Sequence, residues 1–356
     1  MYFSLEVKTR KEDFFDMENE IETFKKELLE PSTRMIVIKG LRRTGKSSLM
    51  RVVLNETNLP HIFIDLRLGV PFTPDSIYQY FSTELSKFLK DKTMNKILSK
   101  IKGLEISGLK LEFKERKINV IAEILEEIGK WAEHKQIVLA IDEAQDLRYI
   151  KGFGKILAHI YDYVKGIKLV LAGSEVGLLD KVLGKGNPNA PLFGRAFTEI
   201  TLKKLSKEKS IDFLKAGFEQ AKIKVDEEEI NKAVSILDGI IGWLTFYGYL
   251  RTRGYDDALE RSIDEGSKLI ADEFKQFLNI RQIARRRYIE IMKTLTRPSR
   301  WSEVKRSLRI ISNASDKQIS NYLKELMYYG FIEKKDDLYF ISDPLLIEAI
   351  RRGYIQ

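Results

Sequence analysis

At 356 residues, 44% hydrophobic and 32% charged, the chain is long enough for two or three domains with a substantial core. It has no cysteine, which excludes disulfides, thiolate catalysis and cysteine-based zinc sites. Its net charge of +9 suits a polyanionic partner, and no run approaches the 18 or so apolar residues of a membrane span. Met1–Lys8 has no basic head followed by an apolar stretch, so a secretory signal is not expected. The expected location is the cytoplasm, with no membrane partner. His61, His134 and His159 are too scattered in sequence to suggest a metal site.

The first predicted element is a helix over 18–29, with Ile21, Phe24, Leu28 and Leu29 on one face. It leads into a buried parallel strand, Met35-Ile36-Val37-Ile38. The next residues, Gly40-Leu41-Arg42-Arg43-Thr44-Gly45-Lys46-Ser47, match the phosphate-loop pattern G-x-x-x-x-G-K-[ST] at every fixed position. A helix follows from Ser48 to Leu54. Strand, loop and helix in that order are what the chemistry needs. Glycines let the backbone bend around phosphate oxygens, and the loop amides and helix N-terminus point positive partial charge at them. Residues 40–48, Ser48 included, are therefore the expected nucleotide cradle. Lys46 is expected as an exposed cation reaching the β- and γ-phosphates of ATP or ADP, and Ser47 as a Mg²⁺ ligand.

A second strand is predicted at His61–Leu66, then a helix capped by Thr73-Pro74-Asp75 and running to about Leu89. Partial alternation around Gly103 and Gly108 suggests a small β insertion over 102–116, followed by a helix from Asn119 to Glu133. The apolar strand 136–141 ends in Asp142-Glu143. Alone, such a pair is equally at home in a solvated loop. Beside Lys46 and Ser47 it suits an ATPase, with Asp142 in the Mg²⁺ shell and Glu143 polarising the attacking water. Further strands are expected at 167–174 and 196–202. Strands alternating with helices imply a parallel sheet covered on both faces, with ligands at the carboxyl ends of its strands. Gly45, Asp142 and Ser174 all fall there.

From Leu205 the pattern is helical only. Asp226 is expected to cap a helix together with Glu229, and amphipathic stretches continue to about Leu295, before Pro298. Then come a helix at Trp301–Leu308, a second capped by Ser315 with Gln318, and a strand–turn–strand over 331–341. This is the order of a winged helix-turn-helix. The expected fold class is α/β: a P-loop parallel-sheet ATPase core (1–203), an all-helical lid (204–280) and a C-terminal winged helix (281–356). Between Arg281 and Arg309 lie ten Lys or Arg and two Glu, a net charge of +8. Such a concentration is either the footprint of nucleic acid or a basic face packed on an acidic partner. For duplex DNA the candidates are Arg285, Arg286, Arg287, Lys317, Asn321 and Lys324, with Lys334 and Lys335 on the wing.

Four stretches together carry a family resemblance: Phe15–Glu20, the phosphate loop with its paired arginines, Asp142-Glu143-Ala144-Gln145, and Leu192-Phe193-Gly194-Arg195. Over residues 10–350 the chain resembles the archaeal ATPase family, P-loop proteins near the signal-transduction ATPases with numerous domains and the archaeal origin-recognition ATPases. The resemblance implies an additional-strand ATPase core, a helical lid, a C-terminal winged helix and an ATP-dependent switch. It also implies roles by position. Ser174 matches the polar sensor of the γ-phosphate, or else is a strand-end cap. Arg195 matches an arginine that stabilises transition-state charge in cis or across a subunit interface, or else ties lid to core. There are departures. Met17 stands where the family often has arginine, and Asp238-Gly239-Ile240-Ile241-Gly242-Trp243 lacks the Gly-x-Pro of related lids. Trp243 and Tyr247 are expected in the lid core rather than under adenine. The functions implied are a slow Mg-dependent ATPase switch, an ATP-regulated DNA-binding protein, or a scaffold whose winged helix binds an unknown protein.

Overall fold

The computed structural model describes residues 1–68, 74–108, 110–114, 118–133 and 135–356. Its first part runs α1 (Glu18–Leu29), β1 (Met35–Gly40), α2 (Lys46–Thr57), β2 (His61–Asp65), α3 (Pro74–Ser86) and α4 (Lys92–Leu98). It continues through β3 (Leu104–Ser107), β4 (Lys110–Phe113), α5 (Ile118–Trp131), β5 (Ile137–Asp142), α6 (Phe153–Tyr163), β6 (Ile167–Gly173), α7 (Val176–Val182) and β7 (Thr198–Leu202). Five of these strands form one sheet in the order β2-β5-β6-β1-β7, with every neighbouring pair parallel. β6 thus separates the strand before the phosphate loop from the strand that ends in Asp142. The expected insertion is an antiparallel hairpin of β3 and β4. Thr73, expected to help cap α3, and Leu109, Arg116 and His134 lie outside the described residues.

Alternation along the strands divides the core in two. On β1, Ile36 and Ile38 join α1, α2 and the helices beyond residue 205, while Met35 and Val37 join α3, α5 and α6. Buried polar residues, among them Lys39 on β1 and Lys168 on β6, interrupt this apolar pattern. Lys168, fully buried on β6, donates from Nζ to the carbonyls of Glu27, Leu28 and Glu30 at 2.6–2.7 Å. It caps the C-terminus of α1, where unpaired carbonyls and the helix dipole both favour a cation.

The lid comprises α8 (Lys207–Gln220), α9 (Glu227–Leu237), α10 (Ile241–Thr252) and α11 (Ala258–Asn279). Trp243 and Tyr247 are buried in it, as expected. The cap of α9 differs from expectation. Asp226 occupies the N-cap position without a side-chain cap bond. Glu229 instead accepts from Tyr247 Oη at 2.6 Å and Arg251 Nε at 3.2 Å. A buried phenol in need of a partner outcompetes the local capping box.

The last part is a winged helix: α12 (Arg285–Thr294), β8 (Ser299–Arg300), α13 (Trp301–Ile311), α14 (Asp316–Tyr328), β9 (Ile332–Lys335) and β10 (Leu338–Ile341), in a three-stranded order β8-β10-β9. Ser315 and Gln318 form the expected capping box. A further helix, α15 (Pro344–Arg351), was not legible in advance; it packs along α11 and ties the end of the chain to the lid. The end of α14 rests on α7. A Cβ added to Gly177 would lie 2.7 Å from Tyr328 Cα, so only glycine admits this approach. Among the described residues, no helix is long and apolar enough to cross a membrane.

Candidate functional site

The loop between β1 and α2 is fixed from beneath. Lys39, buried one residue before the end of β1, pairs with Asp180 on α7 and with Glu199 on β7 at 2.9 Å. Gly40 follows with φ +154°, and a Cβ there would meet Leu202 O at 2.5 Å. Arg43 takes the left-handed conformation (φ 64°), uncommon for a residue with a side chain and typical of sites held by their surroundings. Gly45 is the N-cap of α2, so the first amides of that helix face the loop.

Lys46 is buried rather than exposed, which corrects the expectation. Its Nζ donates to Leu41 O at 2.6 Å. Burial lowers its pKa to about 8, while Glu143 and Asp142 oppose that shift. Ser47 Oγ donates to Asp142 Oδ2 at 2.5 Å. Asp142 is fully buried at the end of β5, and its carboxyl is pushed up by burial and by its neighbour Glu143. Burial also opposes the charge of Glu143. Lys46, hydrogen bonds from Gln145 and Ser174, and Arg42 outweigh it and hold the Glu143 carboxyl below the usual range. The neighbouring acids are therefore driven apart, the pattern that assigns different roles to two carboxyls.

Glu143 is itself left-handed (φ 52°), which turns its carboxylate toward β6. Its Oε2 accepts from Ser174 Oγ at 2.8 Å and from Gln145 Nε2 at 2.5 Å. Lys46, Ser47, Asp142, Glu143 and Ser174 thus meet at one end of the sheet. Arg195 does not join them. It lies just before β7, so at the amino ends of the parallel strands, opposite the loop, and its Nε donates to Asp162 near the end of α6 at 3.0 Å. Its own chain's phosphate loop is out of its place in the fold, and its ion pair joins two parts of the core rather than lid and core.

A cavity of about 260 Å³ adjoins the loop, lined by Phe14, Gly45, Lys46, Ser47, Arg67 and Ile241 among others. Among the described residues no group of three or more His, Asp or Glu side chains is arranged to hold a metal. The donors present are the hydroxyl of Ser47 and the carboxylate of Asp142. Ser47 lines the cavity and Asp142 lies directly behind it, hydrogen-bonded to its hydroxyl; such an oxygen pair suits Mg²⁺, which prefers oxygen ligands completed by phosphate and water. The buried ammonium beside them suits a polyphosphate, so the residues present fit a Mg-nucleotide.

The loop also reaches both other parts of the chain. Arg42 donates to Glu273 on α11 at 2.7 Å and to Glu175 at 2.8 Å, and Arg43 donates to Glu273 at 2.6 Å. The Arg43 guanidinium lies 4.3 Å above the Trp243 ring. Trp243 Nε1 donates to Asp343, the N-cap of α15, at 2.9 and 3.1 Å. Burial pushes the Asp343 carboxyl up, against the bond from Trp243. Glu175, Glu273, Arg67 and Asp343 had gone unnoticed in the sequence. Glu175 and Arg67 each come directly after an expected strand end, which is a weak signal; Glu273 is one of many acids on an amphipathic helix and carries none.

On the winged helix, Lys317, Asn321 and Lys324 are exposed along α14. Of the three nominated arginines, Arg286 is exposed, Arg285 contacts the Gln356 carbonyl at 3.4 Å, and Arg287 donates to Tyr322 Oη at 2.8 Å. Arg281 is spent on Glu325, and Lys305 on Asp316.

Comparison with known proteins agrees with this architecture. Residues 14–245 match the ATPase domain found predominantly in Archaea, and the chain belongs to that family. Residues 282–342 match the C-terminal winged helix-turn-helix domain of MCM proteins. The chain is similar to the Walker-type ATPase PABY2304 of Pyrococcus abyssi, with 32% identity, 99% of this chain and 100% of that one covered, and a TM-score of 0.81. It is also 28% identical over 238 residues to an uncharacterized ATP-binding protein, MJECL26, of Methanocaldococcus jannaschii; the match covers 63% of this chain and 66% of that protein.

Proposed function

We propose that this member of the archaeal ATPase family binds and slowly hydrolyses Mg-ATP, and uses the cycle to move its lid and winged helix as a molecular switch. One observation carries the proposal: the phosphate loop is wired to both other parts, through Glu273 to α11 and through Trp243 to Asp343. A loop that only held nucleotide would not need two arginines committed to the lid.

Lys46 would hold the β- and γ-phosphates. Ser47 Oγ and the Asp142 carboxylate would hold Mg²⁺, which supplies neutralisation of the charge that develops on the phosphoryl oxygens. Glu143, kept ionised by Lys46 and its hydrogen bonds, would orient the attacking water and accept its proton. Ser174 shares Glu143 as partner and is placed to report on the γ-phosphate. Arg195 would act only on nucleotide held by another subunit. The moving units would be 1–203, 204–280 and 281–356, with α15 coupling the last two. Arg42 has a choice of partners: phosphate oxygens would compete with Glu175 and Glu273 for its guanidinium, and loosening that pairing would free α11.

A second function, duplex-DNA binding by the winged helix, is favoured by the exposed Lys317, Asn321 and Lys324 on α14 and by the likeness to the MCM domain. Calorimetric titration of the full chain with Mg-ATP, followed by phosphate release with and without duplex DNA, tests both. Saturable binding with slow turnover is expected; a chain that binds no ATP would contradict the proposal.

A further inference from the structure

Arg67 follows the end of β2 by two residues and lines the cavity beside the phosphate loop. Asp65 holds it firmly. The Arg67 backbone N–H and Nε donate to Asp65 Oδ1 at 3.0 and 2.9 Å, and Nη2 donates to Asp65 Oδ2 at 2.7 Å. The same Nη2 reaches Ser47 Oγ at 3.2 Å and Asp142 Oδ2 at 3.0 Å.

These last two oxygens are the pair assigned above to Mg²⁺, and their hydrogen-bonding capacity is already committed. Ser47 gives its proton to Asp142 Oδ2, so a lone pair of Ser47 Oγ faces Arg67. Asp142 Oδ1 accepts from the Glu143 N–H at 3.0 Å. Mg²⁺ demands near-octahedral oxygen ligands at about 2.0–2.1 Å and tolerates little distortion. A guanidinium hydrogen-bonded to the same oxygens takes the lone pairs that Mg²⁺ needs and adds like-charge repulsion within a few ångströms. The Arg67 side chain is 46% exposed, so its terminal nitrogens can turn outward while Asp65 keeps the tether.

We propose that Arg67, tethered by Asp65, competes with Mg²⁺ for the oxygen pair of Ser47 and Asp142, and so sets the Mg²⁺ concentration at which the chain holds nucleotide tightly. Arg67 balances the buried carboxylate of Asp142 until the metal displaces it. Tight binding then requires metal and nucleotide together, because Mg²⁺ alone must displace a tethered cation without phosphate ligands in return. The competition presupposes the nucleotide site proposed above, and the experiment separates the two.

Binding of a fluorescent ADP analogue to the full chain is followed while Mg²⁺ is titrated, for wild type, Arg67→Gln and Arg67→Ala. Nucleotide concentration is the same throughout, so chelation in solution is common to all three. Removing the competitor should lower the Mg²⁺ midpoint about tenfold, the scale of one charge-assisted hydrogen bond. Arg67→Gln keeps length and polarity, and melting curves of both variants show whether the fold persists. A midpoint that stays put in a folded variant, or rises, overturns the competition while leaving nucleotide binding intact. Absence of saturable binding by the wild type at any Mg²⁺ concentration would overturn the nucleotide site and the competition with it.

Discussion

Arg42 in the phosphate loop and Glu273 on α11 are 231 residues apart in sequence and joined by a 2.7 Å hydrogen bond. Glu273 also takes Arg43, so one lid carboxylate holds both arginines of the loop. Burial opposes its charge, yet the two arginines keep the Glu273 carboxyl below the usual range. If phosphate draws Arg42 away, Glu273→Gln should mimic part of the nucleotide-bound state. ATP affinity should rise several-fold in this variant, and it should combine non-additively with Arg42→Ala. A double-mutant cycle on ATP affinity with a coupling near zero would remove Glu273 from the switch.

Lys46 gives a prediction with a pH signature. Its pKa is lowered to about 8, so the free protein holds a charged Lys46 below that pH and increasingly a neutral one above it. Phosphates favour the charged form, so binding takes up a proton above pH 8. ATP affinity should be flat below about pH 8 and fall as pH rises beyond it. Calorimetry in buffers of different ionisation enthalpy reads that proton directly. The same shift makes the charge costly to fold. The cost is largest below pH 8 and shrinks between about 8 and 10.5, where the unfolded chain alone stays protonated. Lys46→Met should therefore abolish tight ATP binding and flatten the rise in melting temperature of the nucleotide-free chain between about pH 8 and 10 that wild type shows.

Glu143→Gln should bind Mg-ATP and hydrolyse it about 10²- to 10⁴-fold more slowly, the usual loss for a general base. Glutamine still accepts from Ser174 and Gln145, so the fold should be unaffected. Asp142→Asn should instead weaken the Mg²⁺ dependence of binding itself. Single-turnover phosphate release separates the two; wild-type turnover in Glu143→Gln would return Glu143 to a structural role.

For DNA, Lys317→Ala and Lys324→Ala should each reduce the slope of log affinity against log salt by about one, because both are exposed on α14. Asn321→Ala should alter sequence preference with little change in slope. Arg287→Ala should cost stability as well, since Arg287 is bonded to Tyr322. A fluorescence-anisotropy salt series on the full chain checks these slopes, and no binding at physiological salt would leave the basic face without a DNA role.

What was legible in the sequence was local. The phosphate loop, the carboxylates at the end of β5 and the capping box of α14 are contiguous patterns whose chemistry is fixed by spacing. The cap expected at Asp226 failed for a non-local reason: Glu229 was claimed by Tyr247 and Arg251 on the next helix. Lys46 was expected in the open in an empty site, but its ammonium is folded back onto the Leu41 carbonyl beside Glu143 and Asp142 and is buried. Glu273 and Asp343 were invisible, because their partners are about 230 and 100 residues away, and nothing in a lone acid on a helix or at a helix start announces them. That Lys46, Ser47, Asp142 and Glu143 come together at one end of the sheet was readable; the loop's connection to the lid and winged helix was not.

The most direct test of that connection is hydrogen exchange of the full-length Glu143→Gln protein with and without Mg-ATP. If the loop drives a switch, protection should change at α11 around Glu273 and at the end of α14 and start of β9, where Tyr328 and Gly330 rest on the core beside Gly177 and Ser174. Changes confined to the phosphate loop and the ends of β5 and β6 would contradict it, leaving a nucleotide-binding protein whose winged helix does not respond to what the loop holds.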